Sequence, residues 1–312
     1  MKKVNILISI YNPNEEFLIK QLQSLDGQDY DNIEILIWDD NPCSAFDTGI
    51  LERYIQNHSY SYKKGNKNLG YAKAFEKLTY MADGEYVAYC DQDDIWMKNK
   101  ISVCVNALES ENAVLVTSDR AVIDENDNIL IASDKKESPN ICNGWKSGED
   151  ITAIAVFNTC AIGMNIVMNA AVAKSLMPLP DKTAHDKWLT AGASVKGKVL
   201  SLEDTLVQYR RHGKNVSGVL NGITCKEDYY TQRVEYSDYL AKEFLKRFPE
   251  ISEQNQKVIN GFCYARVNKK ILKLYKYRWL SPQIVKFEML LPFVPNVCFK
   301  TILAMIKRRT RF

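Results

Sequence analysis

The sequence predicts an α/β protein with a mostly parallel central sheet flanked by helices and a helical C-terminal extension. Three observations predict it. Apolar, β-branched runs alternate with helix-spaced segments from Val4 to Cys90, the β-α-β-α-β order of a parallel sheet. The first three such runs end in Tyr11-Asn12-Pro13, Asp39-Asp40 and Asp91-Gln92-Asp93-Asp94, so polar groups converge on the sheet edge where ligands bind in open α/β folds. Beyond about residue 220 the pattern turns helical and basic.

In chain order, Val4–Ile10 is a first strand, broken by Tyr11-Asn12-Pro13-Asn14. Asn12 or Asn14 can cap a helix carrying Glu15 and Glu16 in its first turn. Ile33–Trp38 is a second strand, followed by a helix through Ile50, Leu51, Tyr54 and Ile55 and a basic polar loop from Lys63 to Gly70. Residues 71–82 form a helix and the run to Cys90 a third strand. Asp94 is expected to cap a helix beginning at Trp96, continued by Ile101, Val105 and Leu108. A strand at Ala113–Thr117, a hairpin-like Val122–Leu130 and a polar, mobile loop over 133–150 come next. A strand around Ala161–Met168, a helix to Met177, a helix starting near His185 and two short strands, 198–200 and 205–210, complete the order.

Composition sets outer bounds. At 312 residues, 46% hydrophobic and 25% charged, the chain is an ordinary globular one. Its eight cysteines contain no CxxC pair, which excludes a disulfide framework or a zinc site and fits a reducing cytosol. Met1-Lys2-Lys3 enters a strand without a signal-like apolar region. The net charge of +3 hides an asymmetry: from Tyr264 to Phe312 there are 12 Lys or Arg and one acid. Such a tail seeks an anionic surface.

The acidic triplet Asp91, Asp93, Asp94 at a strand end suits a hard divalent cation shared with phosphates, but an acidic helix cap reads equally well on local grounds. No Gly-rich phosphate loop follows the first strand, which argues against a P-loop or dinucleotide enzyme. Of the three histidines, His58 reads as a surface residue, His185 beside Asp186 as a cap or a site pair, and His212 after Arg210-Arg211 as a loop residue or a metal ligand.

The order of motifs resembles that of a family 2 glycosyltransferase with the GT-A fold, in its bacterial rhamnosyltransferase-like branch. The resemblance rests on Ser9-Ile10-Tyr11-Asn12, Trp38-Asp39-Asp40, Asn68-Leu69-Gly70, Asp91-Gln92-Asp93-Asp94-Ile95-Trp96, His185-Asp186-Lys187-Trp188 and Tyr209-Arg210-Arg211-His212-Gly213-Lys214-Asn215-Val216-Ser217-Gly218. It covers roughly residues 1–220, implying a catalytic domain there (1–95 for the nucleotide, 96–220 for the acceptor) and a helical extension over 221–312. It also implies roles. Tyr11, Asp39, Asp40, Asn68 and Lys73 would line the nucleotide pocket, and Asp91 would contact ribose or donor sugar. Asp93 and His212 would hold Mg2+ or Mn2+, Arg210 would meet the diphosphate, and Asp186 would be the general base. Two positions depart from the family pattern. Asn41-Pro42-Cys43-Ser44 replaces a Gly-Ser turn, leaving base specificity open, and His185 stands where Glu is common.

The expected activity is inverting, metal-dependent transfer of a sugar from dTDP-rhamnose or a UDP-hexose to a glycan acceptor. A lipid-linked acceptor in bacterial capsule, O-antigen or exopolysaccharide synthesis suits the basic tail, whose aromatic-rich 279–312 segment is expected to lie on an anionic leaflet at the inner face of the membrane. The alternative for that segment is a basic helical subdomain. Rival functions are a nucleotidyltransferase, which would carry a Gly-rich basic loop after the first strand, and a non-catalytic sugar-nucleotide-binding partner. Nucleic acid is not an expected partner.

Overall fold

The computed structural model describes residues 1–213 and 222–309. Its contacts divide the chain into two compact units, one of residues 1–151 with 159–211, the other of 152–158 with the chain from His212 onward.

The first unit begins β1 (Val4–Ile10), α1 (Glu15–Asp26), β2 (Ile33–Asp39), α2 (Gly49–Tyr54), β3 (Ser59–Lys64), α3 (Tyr71–Met81), β4 (Tyr86–Cys90) and β5 (Ile95–Trp96). It continues through α4 (Lys100–Ser110), β6 (Leu115–Ile123), β7 (Ile129–Ile131) and α5 (Asp134–Glu137). Helix α6 (Thr152–Phe157) belongs to the second unit, and β8 (Ile166–Asn169), α7 (Ala170–Ser175), α8 (His185–Lys196) and β9 (Val199–Arg210) close the first. The described strands form one sheet in the order β3-β2-β1-β4-β8-β6-β9-β5, with β7 on β6. Strands β3, β2, β1 and β4 are mutually parallel, and β8 runs antiparallel between β4 and β6. Residues such as Val4, Ile6, Ile8, Ile35 and Ile37 are fully or almost fully buried beneath Leu18, Leu22 and Leu25 of α1. This burial is why β1 and β2 read as near-continuous apolar runs.

Several local expectations are corrected by long-range contacts. The segment before the basic loop contains the edge strand β3, whose Ser59-Tyr60-Ser61-Tyr62 alternates so that Tyr60 and Tyr62 pack on the core. No helix starts at Trp96: Ile95 and Trp96 pair with Gln208 and Val207 of β9, the Trp96 backbone N–H donates to Ser24 Oγ at 3.0 Å, and α4 begins at Lys100. The strand expected at 113–117 and the first arm of the hairpin are one strand, β6, and the two short strands at 198–210 are one strand, β9, paired to it with two register shifts. The 133–150 segment is pinned by α5 and by Trp145, whose buried indole donates to the carbonyls of Cys142 at 3.1 Å and Cys160 at 3.0 Å.

The second unit is helical. Helix α9 (Lys226–Tyr229) passes through a π-helical turn into α10 (Tyr236–Arg247), followed by α11 (Glu253–Val267), α12 (Ile271–Lys276), α13 (Pro282–Leu290) and α14 (Asn296–Arg309). Within the helical extension, α11 ends at Val267 and the chain turns through Lys269 at φ 52° before α12. Helix α6 joins this unit through Phe157, edge-on to Phe262 at 4.7 Å between centroids. Phe299, Leu303 and Leu291 pack with Ile223, Tyr229 and Val234, and Phe287 lies against them. These tail residues therefore form a core, so part of the 279–312 segment packs as a helical subdomain, while Trp279, Leu290, Phe293 and Met305 stay exposed. Arg266 and Glu288 form a buried ion pair at 2.7 Å, and Tyr229 donates its hydroxyl to Glu288 at 2.9 Å. No helix among the described residues is long and apolar enough to cross a membrane.

Candidate active site

The site is assembled from loops at the carboxyl ends of β1, β2 and β4. Asn14 caps α1 by accepting the Phe17 N–H at 3.2 Å. Asn12, in a left-handed turn, accepts from Asn41 Nδ2 at 2.7 Å, tying the first two loops together. Gln92 ties the first to the third: its Oε1 accepts the Tyr11 N–H at 2.8 Å and its Nε2 donates to the Tyr11 carbonyl at 3.4 Å. Uncharged Gln92 carries no signal of its own in the sequence beside the carboxylates that flank it. The Tyr11 ring itself is exposed.

The two aspartates after β2 are buried and do different work. Asp39 accepts the Asn41 N–H and the Tyr62 hydroxyl, each at 3.0 Å, and burial with that carboxylate pushes the Tyr62 phenol up to about 12. Asp40 accepts the Leu69 N–H at 2.9 Å, the Gly70 N–H at 2.8 Å and the Trp38 indole at 3.1 Å. Its carboxylate thus shapes the Asn68-Leu69-Gly70 loop, where Asn68 accepts the Gly70 N–H at 2.8 Å and Gly70 sits at φ 77°. Lys73, on α3, donates to Glu76 and to the Leu179 carbonyl, each at 2.9 Å.

Asp91 and Asp93 follow β4 and are half-buried. Burial, then the charges of Asp93 and Asp186, push the Asp91 carboxyl up from its ordinary range. Asp186 lies in the first turn of α8, whose positive end favours a carboxylate. It accepts the Lys187 N–H at 2.7 Å and a bond from the Gly163 backbone, yet burial raises it to about 6. Tyr71, exposed at the start of α3, feels both Asp91 and Asp186, which raise its phenol together with burial. The structure therefore brings Asp91, Asp93, Asp186 and Tyr71 within electrostatic reach of one another. Tyr71 carries no motif of its own; only its place after Asn68-Leu69-Gly70 could have marked it.

His185 is buried in an aromatic cage, 4.2 Å from Phe75 and 5.3 Å from Tyr89 between ring centroids. Neither ring nitrogen has a hydrogen-bond partner among the described residues, and burial lowers its pKa to about 3. A Cβ at Gly163 would stand 2.6 Å from His185 Nε2. Glycine there lets the turn that bonds Asp186 lie flat against the ring.

Arg210 departs from the diphosphate role expected for it. Its side chain is 0% exposed and it points inward: Nε donates to the Asp93 carbonyl at 2.9 Å and Nη1 to the Asp124 carbonyl at 3.0 Å and to the Asp127 carboxylate. The guanidinium lies 4.5 Å over the Phe17 ring. Asp94 is fully buried and accepts the Arg210 backbone N–H at 2.9 Å, so it fastens β9 beneath the acidic loop instead of capping a helix. Lys100 lies beneath it as well, 3.7 Å over the Trp96 ring, and burial lowers its amine to about 8. His212 is half-buried and opens the second unit, while the acidic cluster above is built from the first; Lys214, Asn215, Val216, Ser217 and Gly218 of the same motif lie outside the described residues.

Among the described residues no group of three or more His, Cys, Asp or Glu is disposed to hold a metal alone. The chemistry of Asp91 and Asp93 fits a different arrangement. Mg2+ is commonly bound by one or two carboxylates together with substrate phosphates, and the repulsion that raises Asp91 is what a shared cation relieves.

A parallel α/β half with acidic strand ends, continued by a mixed half whose helix α8 carries a further carboxylate, Asp186, is the architecture of a GT-A glycosyltransferase. A sequence model described as glycosyl transferase family 2 matches residues 5–167, and the chain belongs to that family. It is 29% identical over 220 residues to the UDP-Glc:alpha-D-GlcNAc-diphosphoundecaprenol beta-1,3-glucosyltransferase WfaP of Escherichia coli, covering 70% of this chain and 80% of that one. The fold is similar to the crystal structure of S. aureus TarS 1–349, with TM-score 0.62 and 17% identity over 93% of this chain and 86% of that one. It is also similar to the mannosyltransferase PcManGT of Pyrobaculum calidifontis, in complex with GDP-Man and Mn2+, with TM-score 0.55 and 15% identity over 99% and 82% of the two chains.

Proposed function

We propose that this glycosyltransferase moves a sugar from a nucleoside-diphosphate donor to a glycan hydroxyl with inversion, Asp186 acting as general base. One observation carries the reading: Asp186, on the first turn of α8, is close enough to Asp91 to raise its pKa, although 94 positions separate them in sequence. A base facing a donor-binding carboxylate is what single displacement requires.

Asp39 and Tyr62 would receive the nucleoside, with Tyr11 beside the base and Asn68 and Lys73 along the pocket. Asp40 would act through the Asn68-Leu69-Gly70 loop that it holds. Asp91 would bind the donor sugar or ribose. Asp93, with the diphosphate, would hold Mg2+ or Mn2+, which when bound offsets charge on the departing diphosphate. The expected part of His212 as a further ligand rests on its motif alone. Arg210 would position Asp93 through its carbonyl. Raised to about 6, Asp186 is ionised at neutral pH yet basic enough to draw the proton from an acceptor hydroxyl as the bond to the anomeric carbon forms.

The E. coli relative acts on an undecaprenol-linked sugar with UDP-Glc, as its name states. That supports a lipid-linked glycan acceptor, a UDP-hexose donor, a role in bacterial surface polysaccharide synthesis and work at the inner face of the membrane, while a dTDP-rhamnose donor rests on the motif resemblance alone. The first test is thermal stabilisation of the chain by a panel of dTDP-, UDP- and GDP-sugars with and without Mn2+. At least one donor should raise the melting temperature, and more so with metal. Failure of every sugar nucleotide at millimolar concentration would sink the proposal.

A further inference from the structure

The second unit exposes an apolar edge that its own core does not use. Helix α12 has one inward residue, Leu274, while Leu272 is 86% exposed and Tyr275, one turn away, is 49% exposed. Trp279, in the turn that follows, is 48% exposed. A leucine and a tryptophan left in water lose the gain of burial unless something covers them.

The charge around this edge is of one sign. Lys269, Lys270, Lys273, Lys276 and Arg278 are all exposed, and no acid occurs between Glu253 and Glu288. Several of these cations are interleaved with rings: Lys273 stands 4.8 Å over Tyr264, and Arg278 lies 4.2 Å over Tyr275. Arg266, the one buried cation of the stretch, is neutralised by Glu288 and takes no part. A second copy of this face would meet like charge, which disfavours self-association through it. Apolar and aromatic tips among lysines match the boundary of an anionic leaflet, where rings sit at headgroup depth and long cationic side chains reach the phosphates.

We infer that the α12 edge, Leu272-Tyr275-Trp279 with its ring of lysines, docks this protein on an anionic lipid surface. The contact thus centres on α12 and meets the 279–312 segment at Trp279, whereas Leu291, Phe299 and Leu303 of that segment belong to the core of the second unit. The purpose of such docking rests on the lipid-linked acceptor proposed above, but the contact itself does not.

The experiment uses the full chain and vesicles, with no donor or acceptor present, so its outcome is independent of whether the enzyme has been assigned its proper reaction. Flotation with vesicles of equal phosphatidylglycerol and phosphatidylcholine is compared with phosphatidylcholine alone. The wild-type chain should float with the anionic vesicles, weakly with the neutral ones, and less at high salt. Replacing Lys273 and Lys276 together by Gln should weaken partition about 30-fold. Leu272→Glu with Trp279→Gln should abolish it, with the melting temperature kept because both side chains lie outside the core. Binding of this folded double variant equal to wild type would overturn the inference. So would equal flotation with neutral vesicles, or absence of flotation together with capture by a soluble polyanion such as heparin.

Discussion

His185 and Gly163 show how a single buried ring sets the geometry beside a carboxylate. The imidazole occupies a cage of Phe75 and Tyr89 with its Nε2 against the Gly163 backbone, one residue before Asp186. A charged ring in that cage would be unsolvated, so the folded protein keeps it neutral down to about pH 3. The unfolded chain takes up that proton near pH 6.5. His185 therefore contributes stability that is present above pH 6.5 and lost as pH falls below it toward 3. At pH 5 the loss is about 2 kcal/mol. Denaturant unfolding at pH 7.5 and 5 should show that His185→Phe loses about 2 kcal/mol less than wild type over this interval. Parallel losses would contradict a buried neutral imidazole. The residue types of this site were legible in the sequence, because acids at strand ends announce themselves. The division of labour was not. Asp39 and Asp40 are adjacent and alike, yet only the fold shows Asp40 bonded to Leu69 and Gly70 and Asp39 facing Tyr62.

At the scale of elements, the acidic loop after β4 is held from below by β9. Asp94 takes the Arg210 N–H, and the Arg210 side chain returns to the Asp93 carbonyl and to Asp124 and Asp127 of the β6–β7 turn. The motif near the end of β9 thus stabilises the loop before β5, more than a hundred residues earlier in the chain. Arg210→Gln should cost about 3 kcal/mol, since it strips a buried charge from its partners. Donor affinity should fall more with Mn2+ present than without it, because the loop carrying Asp93 loses its support. Calorimetric titration of the variant checks this, and unaltered stability with unaltered metal dependence would contradict it. Helix α1, β1 and β2 were readable because their signals are local: a period, the Asn14 cap, an apolar run. Strands β3 and β5 were not. The first is polar on its exposed side, and the second is two residues long and exists only because Gln208 and Val207 pair with it.

Over the whole molecule, chemistry and charge are divided between the units. The family and fold were legible from the order of six weak motifs, since spacing along the chain survives where single motifs are ambiguous. The second unit was less so, because basic and apolar residues mix there without saying which apolar ones face inward. Phe287 and Phe299 do, Leu272 and Trp279 do not, and the difference follows from packing against α9 and its π-helical turn.

The proposed transfer turns on Asp186. With whichever donor stabilises the protein, the measurement is sugar transfer by wild type and Asp186→Asn across pH, alongside donor binding. Wild-type transfer should fall as pH drops below about 6, where Asp186 takes up its proton. The variant should bind donor and metal as wild type does while its turnover falls by about 100- to 10,000-fold at all pH values. Turnover near that of wild type in Asp186→Asn would contradict the assignment of the base, and with it the proposed reading of this site.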